Sequence, residues 1–215
     1  MPPKKEQAPN EGIKTDSAQP TKTPVIAEPG PLGLIGLAIA ALVLASTDLK
    51  MASSIARSLM IPWVLFFGAT AQLIAGLMEF RRDNVFGATV FSVYAMTMYS
   101  IALTLVVIHF TNAQIDVTHY AYGLIGILVF SIIVTAASVM TNKTFFAILL
   151  MVDLAVASLI PHYLLEISSL PAGVFLLLTS VLSFYGAAAI LLNTMVGKQI
   201  LPLGKALWTP ERNRK

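Results

Sequence analysis

The chain has 215 residues, of which 56% are hydrophobic and 12% are charged, and its formal net charge is +3. Together with a mean hydropathy of +0.78, this leaves too few charged side chains to cover the surface of a soluble domain. The composition therefore predicts an integral membrane protein, and the dispersed basic residues and absent cysteines exclude a nucleic-acid surface and a disulfide framework.

The first 28 residues form a polar stretch rich in Pro, Lys, Thr, Gln and Glu. Such a stretch buries too little apolar surface to offset the entropy of ordering it, which predicts a disordered tail. It lacks the apolar central region of a signal peptide, so the first hydrophobic segment is expected to stay in the protein as a span. Residues 205–215 form a second, shorter tail.

Six apolar segments lie between the tails, and each is long enough to cross about 30 Å of hydrocarbon as a helix. A helix satisfies its own backbone hydrogen bonds in lipid, whereas an open strand does not. Residues 29–204 are therefore predicted to form one all-α transmembrane domain. The predicted spans are 31–49, 62–80, 85–110, 121–141, 144–165 and 171–196.

The distribution of basic residues predicts the orientation of these spans. With six spans, both ends of the chain lie on one side of the membrane, and twelve of the 14 Lys and Arg residues fall on that side. The other two, Lys50 and Arg57, fall on the opposite side. Because basic residues concentrate in cytoplasmic segments, both termini are expected to be cytoplasmic, in what we expect to be the plasma membrane.

A short repeat points to an arrangement of the spans. The tetrapeptide Gly-Leu-Ile-Gly occurs at 33–36 and again at 123–126, near the start of the first and fourth spans. Three spans per half would give two inverted halves, which commonly build a transport pathway at their interface. Chance explains four matching residues in apolar sequence about as well.

The second span carries a polar face. Gln72, Ala75, Gly76 and Glu79 recur at spacings of three and four, so a helix places them on one side. Small residues on that side let a neighbouring backbone approach closely.

The turn after this span predicts the inner mouth of a pathway. Asn84 or Asp83 is placed to cap the third span. Glu79 has Arg82 three residues further on, so an interfacial ion pair explains this carboxylate. The alternative, which we favour for Glu79 and Asn84, is a structural or gating role at the inner mouth.

Asp153 lies near the middle of the fifth predicted span. An ionised carboxylate at such a position costs at least about 2.5–3.5 kcal/mol on insertion scales. The side chain must therefore face a polar path or carry a proton, which makes Asp153 the candidate proton carrier. A neutral acid bonded to a hydroxyl or amide of a neighbouring helix is the alternative interpretation.

Hydroxyl and amide side chains recur at helical spacing along spans four and six. Packing between helices explains such residues, because small polar side chains are common in membrane bundles. The alternative is a pathway wall that replaces the hydration of a small anion. No Lys or Arg lies inside a predicted span, so hydroxyls, amides and helix N-termini would recognise a carboxylate. The two sets are Ser131, Thr135, Ser138 and Asn142, and Thr179, Ser183, Gly186 and Asn193.

Six titratable residues lie at the span ends away from the termini. They fit a ring around the outer mouth, where histidine titrates near neutral pH, but solvated loop positions are the commoner explanation for such residues. The three histidines lack the close spacing of a metal site, and no cysteine assists them, so neither a metal nor another cofactor is expected. The six are Asp48, His109, Asp116, His119, His162 and Glu166.

Three motifs bracket residues 28–204: PLGL at 31–34, QLIAGLMEF at 72–80 followed by NVFGATVF at 84–91 and Tyr94, and ILPLG at 200–204. Their order and spacing resemble those of the acetate uptake transporter family, which includes bacterial succinate–acetate permeases and yeast acetate permeases. The chain departs from the family pattern at Glu28, where Asn is usual, and at Asp83, where Gly is usual.

The resemblance implies a homohexamer with one pathway through each protomer. It also implies a hydrophobic constriction made by a Phe of span one, a Tyr of span three and a Leu of span five. Alignment on the motifs places the first two positions at Leu37 and Tyr94, and an ungapped alignment places the third at Val152. Asp153 would then adjoin the narrowest point. Leu37, standing where the family has the aromatic ring of Phe, would widen the constriction or reduce its amphipathic character, and so change which carboxylate passes.

These observations predict transport of acetate or a similar small monocarboxylate, coupled to protons. Gln72 and the hydroxyls of Ser131, Thr135, Thr179 and Ser183 would contact the anion. A passive channel for a small anion or a neutral solute such as urea needs the same pore without a titrating residue. A membrane sensor or scaffold that transports nothing is the second alternative. The sequence holds no nucleotide loop or nucleophile–base motif, so no enzyme activity is expected.

Overall fold

The computed structural model describes residues 26–51, 58–111 and 116–209, and all regular structure within them is helical. Most of the predicted N-terminal tail, together with Arg57 and residues 210–215, lies outside the described residues. Within these described ranges, six helices are long and apolar enough to cross a membrane, as the sequence predicts. They are α1 (Gly30–Asp48), α2 (Met60–Phe80), α3 (Val85–Phe110), α4 (Thr118–Ser138), α5 (Lys143–Leu165) and α6 (Leu170–Val196).

The six helices form a ring of neighbours in chain order. Helix α1 packs closely along α6 and also against α2, while α2 packs on α3, α4 on α5, and α5 on α6. The seam between α3 and α4 is the loosest. The two copies of Gly-Leu-Ile-Gly lie in different surroundings: Gly33 packs against Phe91, whereas a Cβ atom on Gly123 or Gly126 would meet no described atom within 4 Å. This packing does not support a structural repeat, so the two inverted halves stay a prediction.

Two clusters of buried apolar side chains hold the ring together. The first packs α1, α2, α3, α5 and α6 around Leu34 and Leu37, and the second packs α3, α4 and α5 around Tyr94 and Leu149. Large apolar side chains also cover the outside of the ring, as expected for helices that face hydrocarbon. Examples are Phe66, Leu103, Ile133 and Val181.

The helix ends follow local rules for capping. Asn84 caps α3, and its Oδ1 accepts a hydrogen bond of 3.2 Å from the backbone N–H of Gly87, as predicted. Asn142 caps α5 in the same way, accepting from Phe145 N–H at 2.9 Å. The placement of Asn142 in span four is therefore wrong, because α4 ends at Ser138 and the amide is needed to begin α5.

Helix α2 is not uniform, which the sequence does not predict. Residues Val64–Ala71 form a π-helix between the α-helical residues Met60–Trp63 and Gln72–Phe80. Within it, Thr70 Oγ1 donates to Leu65 O at 2.9 Å and lies 3.0 Å from the Tyr99 hydroxyl of α3. Wide turns of this kind often accompany functional sites. This one ends directly before Gln72.

The chain after α6 folds back across the face of the bundle where α1 begins and α6 ends, which we call the terminal face. Asn193 begins this return: its Oδ1 accepts from the N–H groups of Ile200 (2.6 Å) and Leu201 (3.0 Å). Its Nδ2 donates to Leu201 O at 2.8 Å. Asn193, predicted as part of a pathway stripe, instead fixes this C-terminal segment (residues 198–208).

The same segment completes two other helix ends. Leu203 O accepts from both the N–H and the hydroxyl of Thr144 at the start of α5, at 3.0 and 2.9 Å. Beyond it, Leu207 and Trp208 donate their backbone N–H groups to Val139 O, just after α4, at 2.8 and 3.1 Å. The segment therefore satisfies backbone groups that a helix terminus leaves without partners.

Candidate functional site

A cavity of about 620 Å³ lies inside the ring of helices. It begins at the face opposite the terminal face, where Lys50, Glu166 and Ser168 line it, and it reaches into the spans as far as Leu37 and Tyr94. Most of the lining is apolar, with hydroxyl groups at intervals. An apolar cavity of this size with a few polar groups has the form of a small-molecule site.

Leu37, Tyr94 and Val152 come from three different helices and all line this cavity. Their side chains are 5%, 3% and 7% exposed. Each lies seven to nine residues from the end of its helix at the terminal face, a depth of about 10–14 Å. The three positions implied by the resemblance thus meet at one level, where the cavity ends.

A chain of hydrogen bonds joins this level to Asp153. The Tyr94 hydroxyl lies 2.7 Å from Ser131 Oγ, and Ser131 Oγ in turn donates to Asp153 Oδ1. Tyr94 and Ser131 are buried, and Asp153 is half-buried between α4 and α5. The acid is bonded to a hydroxyl of a neighbouring helix, as one interpretation of the sequence predicts, and the same hydroxyl links it to the cavity wall.

Gln72 lies beside this level with its side chain fully buried. Neither its Nε2 nor its Oε1 has a hydrogen-bond partner among the described residues. An unpaired amide in apolar surroundings costs about 1–3 kcal/mol in protein mutational data. The side chain packs near Gly36 of α1, the residue before Leu37. Gln72 is not among the residues that line the cavity, so its amide lies beside the inner end of the cavity with its hydrogen-bonding capacity unused by the described residues.

The small face of α2 behaves as the sequence predicts. Gln72, Ala75, Gly76 and Glu79 are all buried. A Cβ atom built on Gly76 would lie 2.9 Å from the backbone nitrogen of Ser92 on α3, so only glycine permits this approach.

The predicted hydroxyl stripes divide between two environments. Thr179 lines the cavity and donates to Phe175 O of its own helix at 2.9 Å. Ser183, one turn nearer the terminal face, and Thr135 of α4 are buried with unpartnered hydroxyls in the described part of the chain. Ser138 donates to the backbone of its own helix. Only the first of these side chains therefore contacts the cavity.

At the terminal face, the buried carboxylate of Glu79 is held by the cap of α3. Asn84 Nδ2 donates to Glu79 Oε2 at 3.0 Å. Arg82 Nη1 lies 3.9 Å from the same oxygen but only 2.6 Å from Glu28 Oε2. The expected pairing of Glu79 with Arg82 is therefore a secondary contact. The sequence analysis missed Glu28 as the main partner of Arg82. The available signal was that Glu28 stands where the family usually has Asn.

Four of the six predicted outer-mouth residues line the cavity near the opposite face. His119 instead lines a second cavity of about 390 Å³ between α3 and α4. Asp116 is exposed and accepts from Thr118 N–H at 2.9 Å, and hydrogen bonds from Thr118 lower the pKa of this carboxyl group. The four are Asp48, His109, His162 and Glu166.

Sequence reasoning missed several polar side chains that line the cavity. Thr97 of α3 faces it. Tyr120 of α4 and Tyr163 of α5 also line it, with their rings edge to face and their centroids 4.9 Å apart. Tyrosines near span ends occur in most membrane proteins, so the sequence offers no signal that separates these two from interfacial residues.

Known proteins resemble this chain in sequence and in structure. Residues 11–203 match the model of the GPR1/FUN34/yaaH family. The succinate-acetate/proton symporter SatP of Escherichia coli K12 is 28% identical over 193 residues, which are 84% of this chain and 97% of that protein. Acetate permease A of Emericella nidulans is 26% identical over 203 residues, 86% of this chain and 68% of that protein.

A solved structure supports the same fold. The structure of the bacterial acetate channel SatP matches with a TM-score of 0.76 and 22% identity, covering 84% of this chain and all of that chain. These relatives are named as a symporter, a permease and a channel, and none of them is an enzyme, in agreement with the sequence.

Proposed function

Because the chain belongs to the GPR1/FUN34/yaaH family, we propose that it carries acetate or a similar small monocarboxylate across a membrane, through a pathway within each protomer. The observation that carries this proposal is the cavity that ends where Leu37, Tyr94 and Val152 converge. The names of the SatP symporter and of acetate permease A supply the substrate class.

The chemistry of the cavity suits a small carboxylate. Its apolar lining accommodates a methyl or short alkyl group, and the Tyr94 hydroxyl at its inner end is the donor nearest to a carboxylate there. The Gln72 amide, which has no partner among the described residues, lies just behind that lining. The residues lining the inner end of the cavity include no Lys or Arg. Neutral donors bind an anion more weakly than a paired cation does, which favours rapid passage.

Beyond the constriction, the path continues towards the terminal face. The unpartnered hydroxyls of Ser183 and Thr135 are the next neutral donors in that direction. Glu79 and Asn84 hold the turn between α2 and α3, and we assign them a structural or gating role at the inner mouth.

Proton coupling is part of the proposal, with Asp153 as the proton carrier. The bond from Ser131 gives the half-buried acid a polar contact, and its position beside Val152 keeps it at the level of the constriction. The proposed arrangement in the cell is a homohexamer in the plasma membrane, with both termini in the cytoplasm.

Uptake of radiolabelled acetate into proteoliposomes tests this function. We expect accumulation above protein-free vesicles when an inward proton gradient is imposed, because one proton accompanies each carboxylate. Protein-free vesicles measure the diffusion of acetic acid through lipid and are subtracted. In Asp153→Asn, gradient-driven accumulation should be lost while slow equilibration remains.

A passive channel is the second candidate, and the structure named as an acetate channel favours it. Equal, gradient-independent equilibration in the native protein and in Asp153→Asn would support a channel and reject proton coupling. Flux of urea without acetate flux would identify a neutral-solute channel. No flux of either solute would support the sensor or scaffold.

A further inference from the structure

Tyr94, Ser131 and Asp153 form a chain of two hydrogen bonds at the constriction, and the few protons they carry link the directions of the two bonds. Tyr94 and Ser131 each carry a single O–H proton, and the contacts between them and Asp153 are both hydrogen bonds. An ionised Asp153 only accepts, whereas a protonated Asp153 also donates. An ionised acid therefore allows only one direction for the bonds of the chain, whereas a protonated acid also allows the reverse direction.

With Asp153 ionised, the direction is fixed. Ser131 donates its proton to the carboxylate, as its geometry allows. Tyr94 must then donate to Ser131 Oγ, over the 2.7 Å that separates the two oxygens. The tyrosine has no remaining proton, so it presents only lone pairs to the cavity, and these repel a carboxylate.

With Asp153 protonated, the reverse direction becomes available. The acid donates to Ser131 Oγ, Ser131 donates to the Tyr94 oxygen, and the tyrosine proton becomes free. Because Tyr94 lines the inner end of the cavity, the released O–H is a donor for a carboxylate oxygen at the constriction. No covalent bond to carbon forms or breaks, and the one added proton stays on Asp153.

We propose that Ser131 is a positioning residue that couples protonation of Asp153 to anion binding at Tyr94. This inference rests on the proposed function and supplies its coupling step. Because linkage is reciprocal, protonation that favours anion binding implies that the bound anion favours protonation to the same extent. Proton and carboxylate then occupy the constriction together, although they bind to different side chains.

Tyr94 is the titratable group that this chain of bonds connects to Asp153. The described ion pairs, Arg82 with Glu28 and Glu79, lie at the terminal face and do not involve Asp153. Helices α4 and α6, which pack on α5, contain no Asp, Glu, Lys or Arg. Most other titratable side chains on α4, α5 and α6 lie towards the helix ends: His119, Tyr120, Tyr122, Lys143, His162 and Tyr163. Tyr185 lies near the middle of α6, where its hydroxyl donates to Pro202 O at 2.6 Å.

The test measures the half-saturating concentration of acetate anion for uptake, at a series of pH values held equal on both sides of the vesicle. In the native protein this concentration should rise with pH by up to about tenfold per pH unit, the limit for one linked proton. In Ser131→Ala the pH dependence should disappear, because Tyr94 no longer senses Asp153. Ser131→Thr, which keeps the hydroxyl, should restore it.

Ser180→Ala is the matched control. Ser180 is buried and donates to Ala38 O of α1 at 2.8 Å, so its loss removes an equally buried hydroxyl outside the relay. This variant should keep the native pH response. If Ser131→Ala does not assemble, Tyr94→Phe removes the same link and keeps the ring, and its remaining uptake should be independent of pH.

The outcomes separate the coupling step from the function. Native uptake with an unchanged pH response in Ser131→Ala, or in Tyr94→Phe where that variant is used, overturns the relay alone, and points to acetic acid as the transported species. No uptake by the native protein above protein-free vesicles overturns the proposed function, and the relay with it.

Discussion

The two sides of the bundle, divided at the level of Leu37 and Tyr94, differ in the surroundings of their charged side chains. Towards the opposite face, His109, Glu166 and other polar side chains line an open cavity. Towards the terminal face, Glu79 and the loop carbonyls are bonded within the protein. The cavity is thus open at the opposite face. At the terminal face, hydrogen bonds within the protein and close helix packing fill the bundle. Four substitutions test this contrast.

Gly36→Ala should have the largest effect on stability. A Cβ atom at Gly36 would lie 2.4 Å from the backbone oxygen of Phe67, in the π-helical part of α2, so the two helices must separate. Overpacking of this kind costs about 1–3 kcal/mol. In Gly123→Ala, the matched control, the added methyl group meets nothing within 4 Å. Thermal unfolding in detergent should show a lower Tm for the first variant only, and equal Tm values would refute this close packing.

Gln72→Leu should change stability and transport in opposite directions. Replacing a buried amide without partners by an apolar group of similar size should stabilise the protein by about 1–3 kcal/mol. Uptake of acetate should fall about tenfold, the equivalent of one ordinary hydrogen bond. Ile74→Leu, on the exposed side of the same helix, is the control. Higher stability with unchanged uptake would place Gln72 outside the pathway.

Asn193→Ala should release the C-terminal segment locally. Three hydrogen bonds from this side chain hold Ile200 and Leu201, and losing them should cost about 1–3 kcal/mol. Hydrogen exchange should become faster at residues 200–208 and at Thr144, with little change elsewhere. Asn193→Asp keeps the oxygen that accepts from both N–H groups, so it should retain part of the protection. Unchanged exchange in both variants would contradict this role.

Glu28→Gln should have the smallest effect on stability. Glu28 and Arg82 side chains are 31% and 32% exposed, and a pair this accessible to solvent contributes about 1 kcal/mol or less. If the pair helps to close the terminal face, acetate efflux should rise slightly and depend less on salt. Asp83→Asn, a carboxylate in the same turn without a described ion pair, is the control. A large loss of stability would show that the pair is better shielded than its exposure indicates.

Local sequence rules were sufficient for most of the fold. Apolar length predicted six spans, and the asparagine before α3 predicted its cap. The π-helix in α2 was not predictable, because hydrophobic periodicity over eight residues does not distinguish it from an α-helix. The C-terminal segment was missed for another reason: its partners lie on α4, α5 and α6, and contacts so distant in sequence leave no periodic signal.

The candidate site shows the same limit. Sequence alone identified Asp153 by its cost in the membrane, and resemblance indicated Leu37 and Tyr94. The bond between Ser131 and Asp153 depends on the rotation of α4 against α5, which the pattern of hydroxyls does not determine. A different uncertainty, in where a span ends, assigned Asn142 to span four, although its side chain caps the start of α5.

The C-terminal segment also sets the order in which the protein is completed during synthesis. Thr144 and the Leu203 carbonyl that satisfies it are 59 residues apart in the chain. When α4 and α5 first enter the bilayer, the turn between them still lacks these partners. The turn is finished only after α6 has been inserted and the following residues have left the ribosome, so a segment translated late stabilises a turn translated 59 residues earlier.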